Sequence, residues 1–279
     1  MTATVLITGC SSGIGRATAL RLVGAGRTVV ATARRVETLA PLAEAGCRTL
    51  SLDVTDDESM RSAVERAEAD TGGIDVLVNN AGYSQSGALE MLPIDRFRAQ
   101  LETNVVGLLR MCQLVLPGMR GRGRGTIVNM SSMGGRLTLP GGGAYHASKY
   151  AVEALSDALR FEVAGFGVRV VVVEPGLIRT AFGETAASSV AACGPYADFD
   201  REVAEGTRRV YTRGPLARLG AGPEAVARTI EKAIAADSPR ARYVVTPSAR
   251  VLLTARRLLP DRGWDAFLRA QFPSPARSG

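Results

Sequence analysis

Thr8-Gly9-Cys10-Ser11-Ser12-Gly13-Ile14-Gly15 lies between a short aliphatic run, Thr4–Thr8, and a segment, Ser12–Ala25, whose Ile14, Ala17, Leu20 and Leu22 follow a helical pattern. Strand, glycines and helix in that order build a turn in which the backbone can approach a pyrophosphate. The helix N-terminus adds amide donors and the positive end of its dipole. A plain strand-to-helix turn that happens to contain glycine is the alternative. The order of the elements favours a nucleotide site, with Gly9, Ser11, Ser12, Gly13, Ile14 and Gly15 as its contacts.

The following strand bears on which nucleotide. Thr28–Thr32 runs into Ala33-Arg34-Arg35, where an NAD site normally places a carboxylate for the ribose 2′-hydroxyl. No acid is present. Arg34 and Arg35 instead offer guanidinium groups to a 2′-phosphate, aided by the Ser11 and Ser12 hydroxyls. Two solvated arginines opening a helix are the other reading. The missing carboxylate favours NADP(H) over NAD.

Further strands are expected at Arg48–Leu52, Asp75–Val78, Thr126–Met130, Val168–Val173 and Tyr243–Thr246, with helical patterns between them. One helix is expected at Val36–Ala45, and another opens at the N-cap Thr55, with Asp56, Asp57 and Glu58 in its first turn. Strands this continuously apolar are covered on both faces, as a parallel sheet requires. The alternation predicts an α/β, doubly wound, single domain over residues 1–250 with about seven parallel strands. Ile178–Thr212 leaves the pattern and reads as a mobile insertion. Residues 251–279 read as an amphipathic C-terminal helical extension with a disordered Pro/Ser/Gly tail.

Composition narrows the chemistry. With 46% hydrophobic and 22% charged residues among 279, wholesale disorder is excluded. No apolar run is long enough to span a bilayer, and Met1–Thr8 lacks the basic start of a signal peptide. Cys10, Cys47, Cys112 and Cys193 are scattered, which argues against disulfides or zinc and suits a cytoplasmic setting. A single histidine, His146, removes most metal-ligand and histidine-triad chemistries, so no metal is expected.

Tyr145-His146-Ala147-Ser148-Lys149 opens a helical pattern and puts Tyr145 and Lys149 on one face. A tyrosine titrates near 10, too high for efficient acid–base work at neutral pH, and an adjacent ammonium lowers it. Such a pair also occurs in many ordinary helices. Arginine fills 32 of the 34 basic positions, yet Lys149 is not arginine. A compact ammonium fits beneath a tyrosine where a planar guanidinium does not.

Four motifs in order and spacing carry a resemblance: TGCSSGIG (Thr8–Gly15), NNAG (Asn79–Gly82), YHASK (Tyr145–Lys149) and Pro175-Gly176. Over residues 1–250 the chain resembles the short-chain dehydrogenase/reductases, which are Rossmann-fold enzymes. It is closest in look to the 17β-hydroxysteroid and retinol dehydrogenase branch. The resemblance implies a catalytic set of Asn104, Ser132, Tyr145 and Lys149. Tyr145 would exchange a proton with the substrate oxygen and Ser132 would polarise that oxygen. Lys149 would lower the tyrosine pKa and hold the nicotinamide ribose, and Asn104 would continue the proton path through a water on its carbonyl. It further implies adenosine contacts at Asp53, Val54, Asn79, Ala81 and Gly82, and nicotinamide contacts at Pro175, Gly176, Ile178 and Thr180. His146 occupies a variable position inside the motif and is read as non-catalytic, and the cysteines as core fillers.

The substrate regions implied by the resemblance, Ala181–Arg213 and Ser248–Phe272, carry Phe182, Tyr196, Phe199, Val210, Tyr211, Trp264 and Phe267. A hydrophobic carbonyl or alcohol substrate, steroid-, retinoid- or polyketide-like, is expected. Alternatives are a biosynthetic ketoreductase acting on a polyketide or carrier-tethered intermediate, and a cofactor-binding regulator without turnover. The resemblance also implies a homodimer through helices near Asp95–Pro117 and Ala144–Phe166, with a tetramer as the alternative. The net charge of +7 is unevenly placed. Residues 1–200 hold 19 basic and 20 acidic side chains, residues 201–279 hold 15 and 7. With no recognisable nucleic-acid module there, that excess suggests a rim for an anionic or carrier-tethered substrate, or weak contact with acidic lipid.

Overall fold

The computed structural model describes residues 3–272 except positions 191, 193 and 214, and not the side chains at 215 and 216. Cys193 and the expected tail beyond Phe272 lie outside the described residues. Strands β1 (Thr4–Ile7), β2 (Thr28–Ala33), β3 (Arg48–Ser51), β4 (Val76–Asn79), β5 (Gly125–Met130), β6 (Val168–Glu174) and β7 (Arg242–Val244) form one parallel sheet. Their order is β3-β2-β1-β4-β5-β6-β7. The chain therefore reverses its direction of growth at β1 and β4, and the loops leaving their C-terminal ends diverge to leave a crevice.

The helices are α1 (Gly13–Gly24), α2 (Ala40–Glu44), α3 (Asp57–Thr71), α4 (Ile94–Leu101), α5 (Gly107–Gly121), α6 (Gly143–Ala164), α7 (Phe182–Ser188), α8 (Ala197–Thr212), α9 (Pro215–Arg218), α10 (Pro223–Ala235), α11 (Pro247–Leu258) and α12 (Asp261–Gln271). Strand periodicity of two sorts the core into two layers. Val5, Ile7, Val76 and Val78 meet Leu22 of α1, Leu42 of α2 and Val226 and Ile230 of α10. Leu6 and Leu77, pointing the other way, meet Met60 and Val64 of α3, Met111 and Val115 of α5 and Val152 of α6. Each such aliphatic residue is worth about 1.5–3 kcal/mol when fully buried, so neither face tolerates a charge. Cys10, Cys47 and Cys112 are free and buried in these layers, as small core side chains.

A third cluster joins Met133, Leu137 and Leu177 to Ala249 and Leu252 of α11 and Trp264 of α12. α11 begins at Pro247 and turns its buried side chains into the core, so the C-terminal helices are an integral wall of the domain.

Several element boundaries differ from expectation for local reasons. Asp56, not Thr55, caps α3: its carboxylate accepts from the N–H groups of Glu58 and Ser59, while Thr55 Oγ1 donates to Asp53. The segment expected as a single helix across 95–117 consists of α4, a wide π turn at Glu102–Val106, and α5. Ile178–Thr212, expected as a mobile insertion, contains α7 and α8, the latter anchored by buried Val203 and by Asp200, whose carboxylate accepts from Ala88 N–H at 2.9 Å.

Candidate active site

The turn after β1 is a cradle that side chains would fill. Gly9 has φ +72°, and a Cβ there would lie 2.8 Å from Ala81 Cα. Gly15 packs against Gly9 O and Asn80 with no room for a Cβ. Asn80 Nδ2 donates to Thr8 O and Gly9 O at 2.9 and 3.0 Å. Thr8 Oγ1 in turn accepts from the N–H groups of Asn80 and Ala81, both at 3.0 Å. The start of α1 is left with no side-chain cap at Ser12, and Ser11 and Ser12 are exposed. Uncapped helix amides above a glycine cradle fit a dinucleotide pyrophosphate.

The remaining cofactor candidates surround that cradle. Cys10 N–H donates to Thr32 O at 2.8 Å, which holds the turn beside the end of β2, where Arg34 and Arg35 stand exposed. Asp53 Oδ1 accepts from Thr55 N–H and Oγ1, and buried Val54 packs on Gly107 at the start of α5. Ile14 is partly buried against the core and Ala81 packs on the opposite layer. Gly82 is exposed, and a Cβ on it would lie 3.1 Å from Asn104 Oδ1 and 3.8 Å from Lys149 Nζ. Pro175 is buried, Gly176 is wedged against Thr246 and Ser248, and Ile178 bridges to Ala221. A Cβ on Gly13 would lie 3.5 Å from Thr180 Cγ2, so the loop after β6 closes over the glycine-rich turn. Asn79 faces the interior instead: its Nδ2 donates to Asn129 Oδ1 at 3.0 Å, and Asn129 continues to Ser156 Oγ.

The acid–base group is assembled from three elements. The start of α6 supplies Tyr145 and Lys149, the loop leaving β5 supplies Ser132, and the π turn supplies Asn104. Ser132 Oγ accepts from Gly134 N–H at 3.0 Å, donates to Pro175 O at 3.5 Å, and acts on the Tyr145 phenol. Lys149 Nζ donates to Met130 O at 2.7 Å and lies 5.8 Å from the Tyr145 ring centre. Asn104 is 1% exposed, and its amide donates to Tyr83 O and Ser148 Oγ, both at 3.0 Å. A π turn shifts the helical hydrogen-bond ladder by one residue, and such turns are frequent at functional sites.

The electrostatics differ from the expectation that Lys149 lowers the tyrosine. Burial pushes the Tyr145 phenol up to about 12, opposed by the Ser132 hydrogen bond. Burial also pushes the Lys149 ammonium down to about 8, with the Glu153 carboxylate pulling the other way. The reason is enclosure: the Phe182 ring of α7 meets the Tyr145 ring edge-on at 5.5 Å, and partly buried Tyr211 of α8 stands nearby. The site is therefore set with a protonated phenol beside a poised ammonium.

A glycine cradle, an uncapped helix and a Ser–Tyr–Lys–Asn group lie along the C-terminal edge of one parallel sheet, and residues 3–190 match the family model for short chain dehydrogenase. This chain belongs to the short-chain dehydrogenase family. Members are oxidoreductases that use NAD or NADP. The 3-ketodihydrosphingosine reductase of Bacteroides thetaiotaomicron is 37% identical over 267 residues, covering 95% of this chain and 96% of that one. Human 17-beta-hydroxysteroid dehydrogenase type 1 is 37% identical over 269 residues, covering 90% and 80%. A solved short-chain dehydrogenase from Streptomyces avermitilis superposes with a TM-score of 0.81 at 37% identity, covering 97% of this chain and 96% of that one.

Sequence reasoning missed the residues that brace the catalytic loops. Glu174, fully buried at the end of β6, is bound by Arg136 at 3.2 Å and Arg242 at 3.3 Å. Arg242 also reaches Glu153 at 2.9 Å and Asp157 at 2.7 Å. These pairs tie the loop after β5 and the Pro175-Gly176 corner to α6. The signal was present: a glutamate ending a buried strand that is mostly valine needs a partner. The Asn79–Asn129–Ser156 ladder has the same signature, amides inside apolar strands. Among the described residues, no group of His, Cys, Asp and Glu is placed to hold a metal, and no helix is long and apolar enough to cross a membrane.

Proposed function

We propose that the protein reduces a ketone on a largely hydrophobic substrate, with NADPH as the hydride source. The observation that carries this is the grouping of Tyr145 at the start of α6, Lys149 with its Nζ 5.8 Å from the Tyr145 ring, and Ser132 on the loop leaving β5. A phenol held near 12 is a competent proton donor to a forming alkoxide and a poor base at neutral pH. Nicotinamide supplies the hydride when bound. Ser132 donates a hydrogen bond to the substrate oxygen and orients it toward Tyr145, which delivers the proton. Lys149 holds positive charge beside the emerging phenolate, and Asn104 braces the turn beneath it. Loss of NADPH absorbance across a panel of ketones tests the reading; turnover confined to small polar sugars or acids would sink it.

The substrate class is supported by the aromatic side chains around the reacting phenol: Phe182, whose ring meets Tyr145 at 5.5 Å, and partly buried Tyr211 beside it. Two relatives are named for a ketosphingoid base and a hydroxysteroid, both hydrophobic skeletons carrying one reactive carbonyl or alcohol. The basic C-terminal third favours, as a second reading, a carrier-tethered or otherwise anionic ketone. That reading expects the rate on a carrier-bound substrate to fall with salt while the rate on a neutral ketone does not.

Cofactor choice rests on Arg34 and Arg35, exposed past β2 with no acid in their place. Charge-assisted hydrogen bonds contribute about 1.5–3 kcal/mol each. Replacing both arginines with alanine is expected to lower kcat/KM for NADPH by about a hundredfold and leave that for NADH within about threefold. Equal losses with both cofactors would remove the assignment.

A homodimer is the proposed assembly. Ala147, Tyr150, Ala154, Ala158 and Phe161 form one exposed stripe on α6, with Phe161 89% exposed. A flat stripe of small residues ending in a bare aromatic ring suits a second copy of the same helix. Phe161→Asp is expected to shift the sedimenting species from dimer to monomer; an unchanged coefficient would rule this face out.

A further inference from the structure

His146, read from sequence as an idle position inside the catalytic motif, makes two hydrogen bonds that bridge the loop carrying Ser132. It is 7% exposed on α6. Its Nε2 lies 3.2 Å from Leu139 N, and its Nδ1 lies 2.9 Å from Gly134 O. Leu139 N–H can only donate, so Nε2 accepts and carries no proton. Nδ1 therefore holds the ring proton and donates it to Gly134 O. The imidazole is fixed as one neutral tautomer by two backbone groups on opposite sides.

Glycines make the space for this ring. A Cβ on Gly134 would lie 2.6 Å from Nδ1, and one on Gly142 would lie 2.8 Å from Nε2. Gly134 is also the residue whose N–H donates to Ser132 Oγ at 3.0 Å. The chain of contacts runs His146 to Gly134 to Ser132 to Tyr145, and begins and ends on adjacent residues of α6.

We propose that His146 is a positioning residue for Ser132: it locks Gly134 so that the Gly134 amide occupies one lone pair of the serine hydroxyl and aims its proton at the substrate oxygen. This rests on the ketone-reductase reading for its kinetic test and is independent of it for its spectroscopic one. The lock needs a neutral ring. Protonation turns Nε2 into a donor facing the Leu139 N–H, and burial already holds the ring pKa below its ordinary value, opposed by the Gly134 carbonyl. The titratable side chain in ring contact is Tyr145, 5.7 Å away from α6 itself; the loop groups facing the ring nitrogens are the backbone groups of Gly134 and Leu139. Because the folded value lies below the unfolded one, the folded loop is fully favoured above the ordinary histidine value and weakens as pH falls beneath it.

Asparagine places an amide near the position of Nδ1, and glutamine places one near Nε2. His146→Leu is expected to lower kcat about thirtyfold or more with KM for NADPH unchanged, since loss of alignment acts on the reacting atoms. His146→Asn is expected to regain most of that loss and His146→Gln little of it. A leucine variant with wild-type kcat, or an asparagine variant no better than leucine, would overturn the proposal. Nitrogen-15 spectra of the full-length protein read one histidine and need no substrate. They are expected to show Nδ1 protonated and Nε2 bare at neutral pH, and the opposite tautomer would overturn the proposal by itself. If wild-type protein reduces no ketone while the tautomer is as expected, the ketone reading fails and the lock stands.

Discussion

Tyr145→Phe is expected to lower kcat by about a thousandfold, with little change in NADPH affinity and no loss of stability. The substitution removes one hydroxyl. General acid catalysis by a positioned group contributes about 10²–10⁴-fold, and here no other described group can replace it. Ser132 touches the same oxygen, but its hydroxyl is a far weaker acid than a phenol. His146 has its proton committed to Gly134 O and no second one to give. The ring itself stays useful, because it packs edge-on against Phe182 and His146 at 5.5 and 5.7 Å. The Ser132 oxygen keeps its Gly134 donor, so the deletion leaves no orphaned serine. The prediction separates enzyme from regulator: a biological activity that survives the change undiminished would show that the fold binds its nucleotide for another purpose. Single-turnover measurement with prebound NADPH is the appropriate readout, because it removes product release from the rate.

What could be read from the residues depended on whether the physics was local. The strand–turn–helix order at Thr4–Gly24 is local chemistry: β-branched residues, then glycines, then helical spacing. Its position at the sheet's switch point was not legible, because that depends on the strand order. The Tyr145–Lys149 spacing was local too. The brace around Glu174 was not, since Arg136 and Arg242 lie 38 and 68 residues away and sequence does not say which arginine turns inward. The pKa balance was also illegible. Lys149 was expected to lower Tyr145, and burial raises it instead, beneath Phe182 and beside Tyr211, which arrive from helices in the segment read as a mobile insertion. His146 was dismissed because it occupies a variable position inside the motif; its partners are backbone groups of a loop whose path only folding defines.

The second large effect belongs to Lys149, a buried cation whose side chain lies behind the reacting phenol. Lys149→Arg keeps the charge and is nevertheless expected to lose about a hundredfold or more in kcat/KM. Nζ sits 2.7 Å from Met130 O, with Gly82 close by, and a planar guanidinium cannot occupy that space without pushing Asn104 or the tyrosine aside. In so arginine-rich a chain this exchange would otherwise be the mildest available. Lys149→Met is expected to be as inactive and yet no less stable at neutral pH. Burial lowers the lysine from its ordinary 10.5 to about 8, so keeping it charged at pH 7 costs the fold about 3 kcal/mol. Glu153 keeps Arg242 at 2.9 Å when the lysine is removed, so methionine strands no carboxylate. The sign of the pH dependence follows. Between about pH 8 and 10.5 the folded lysine holds fewer protons than the unfolded one, so wild-type stability rises with pH across that window relative to the methionine variant. Ketone reduction should move oppositely and fall above about pH 8 as the ammonium is lost. Urea midpoints of both proteins at pH 7 and pH 10, set beside kcat at the same values, test this: a wild-type gain in stability that accompanies its loss of activity is the expected pair. Parallel changes in both would mean that the charge on Lys149 stabilises the fold instead of serving the reaction.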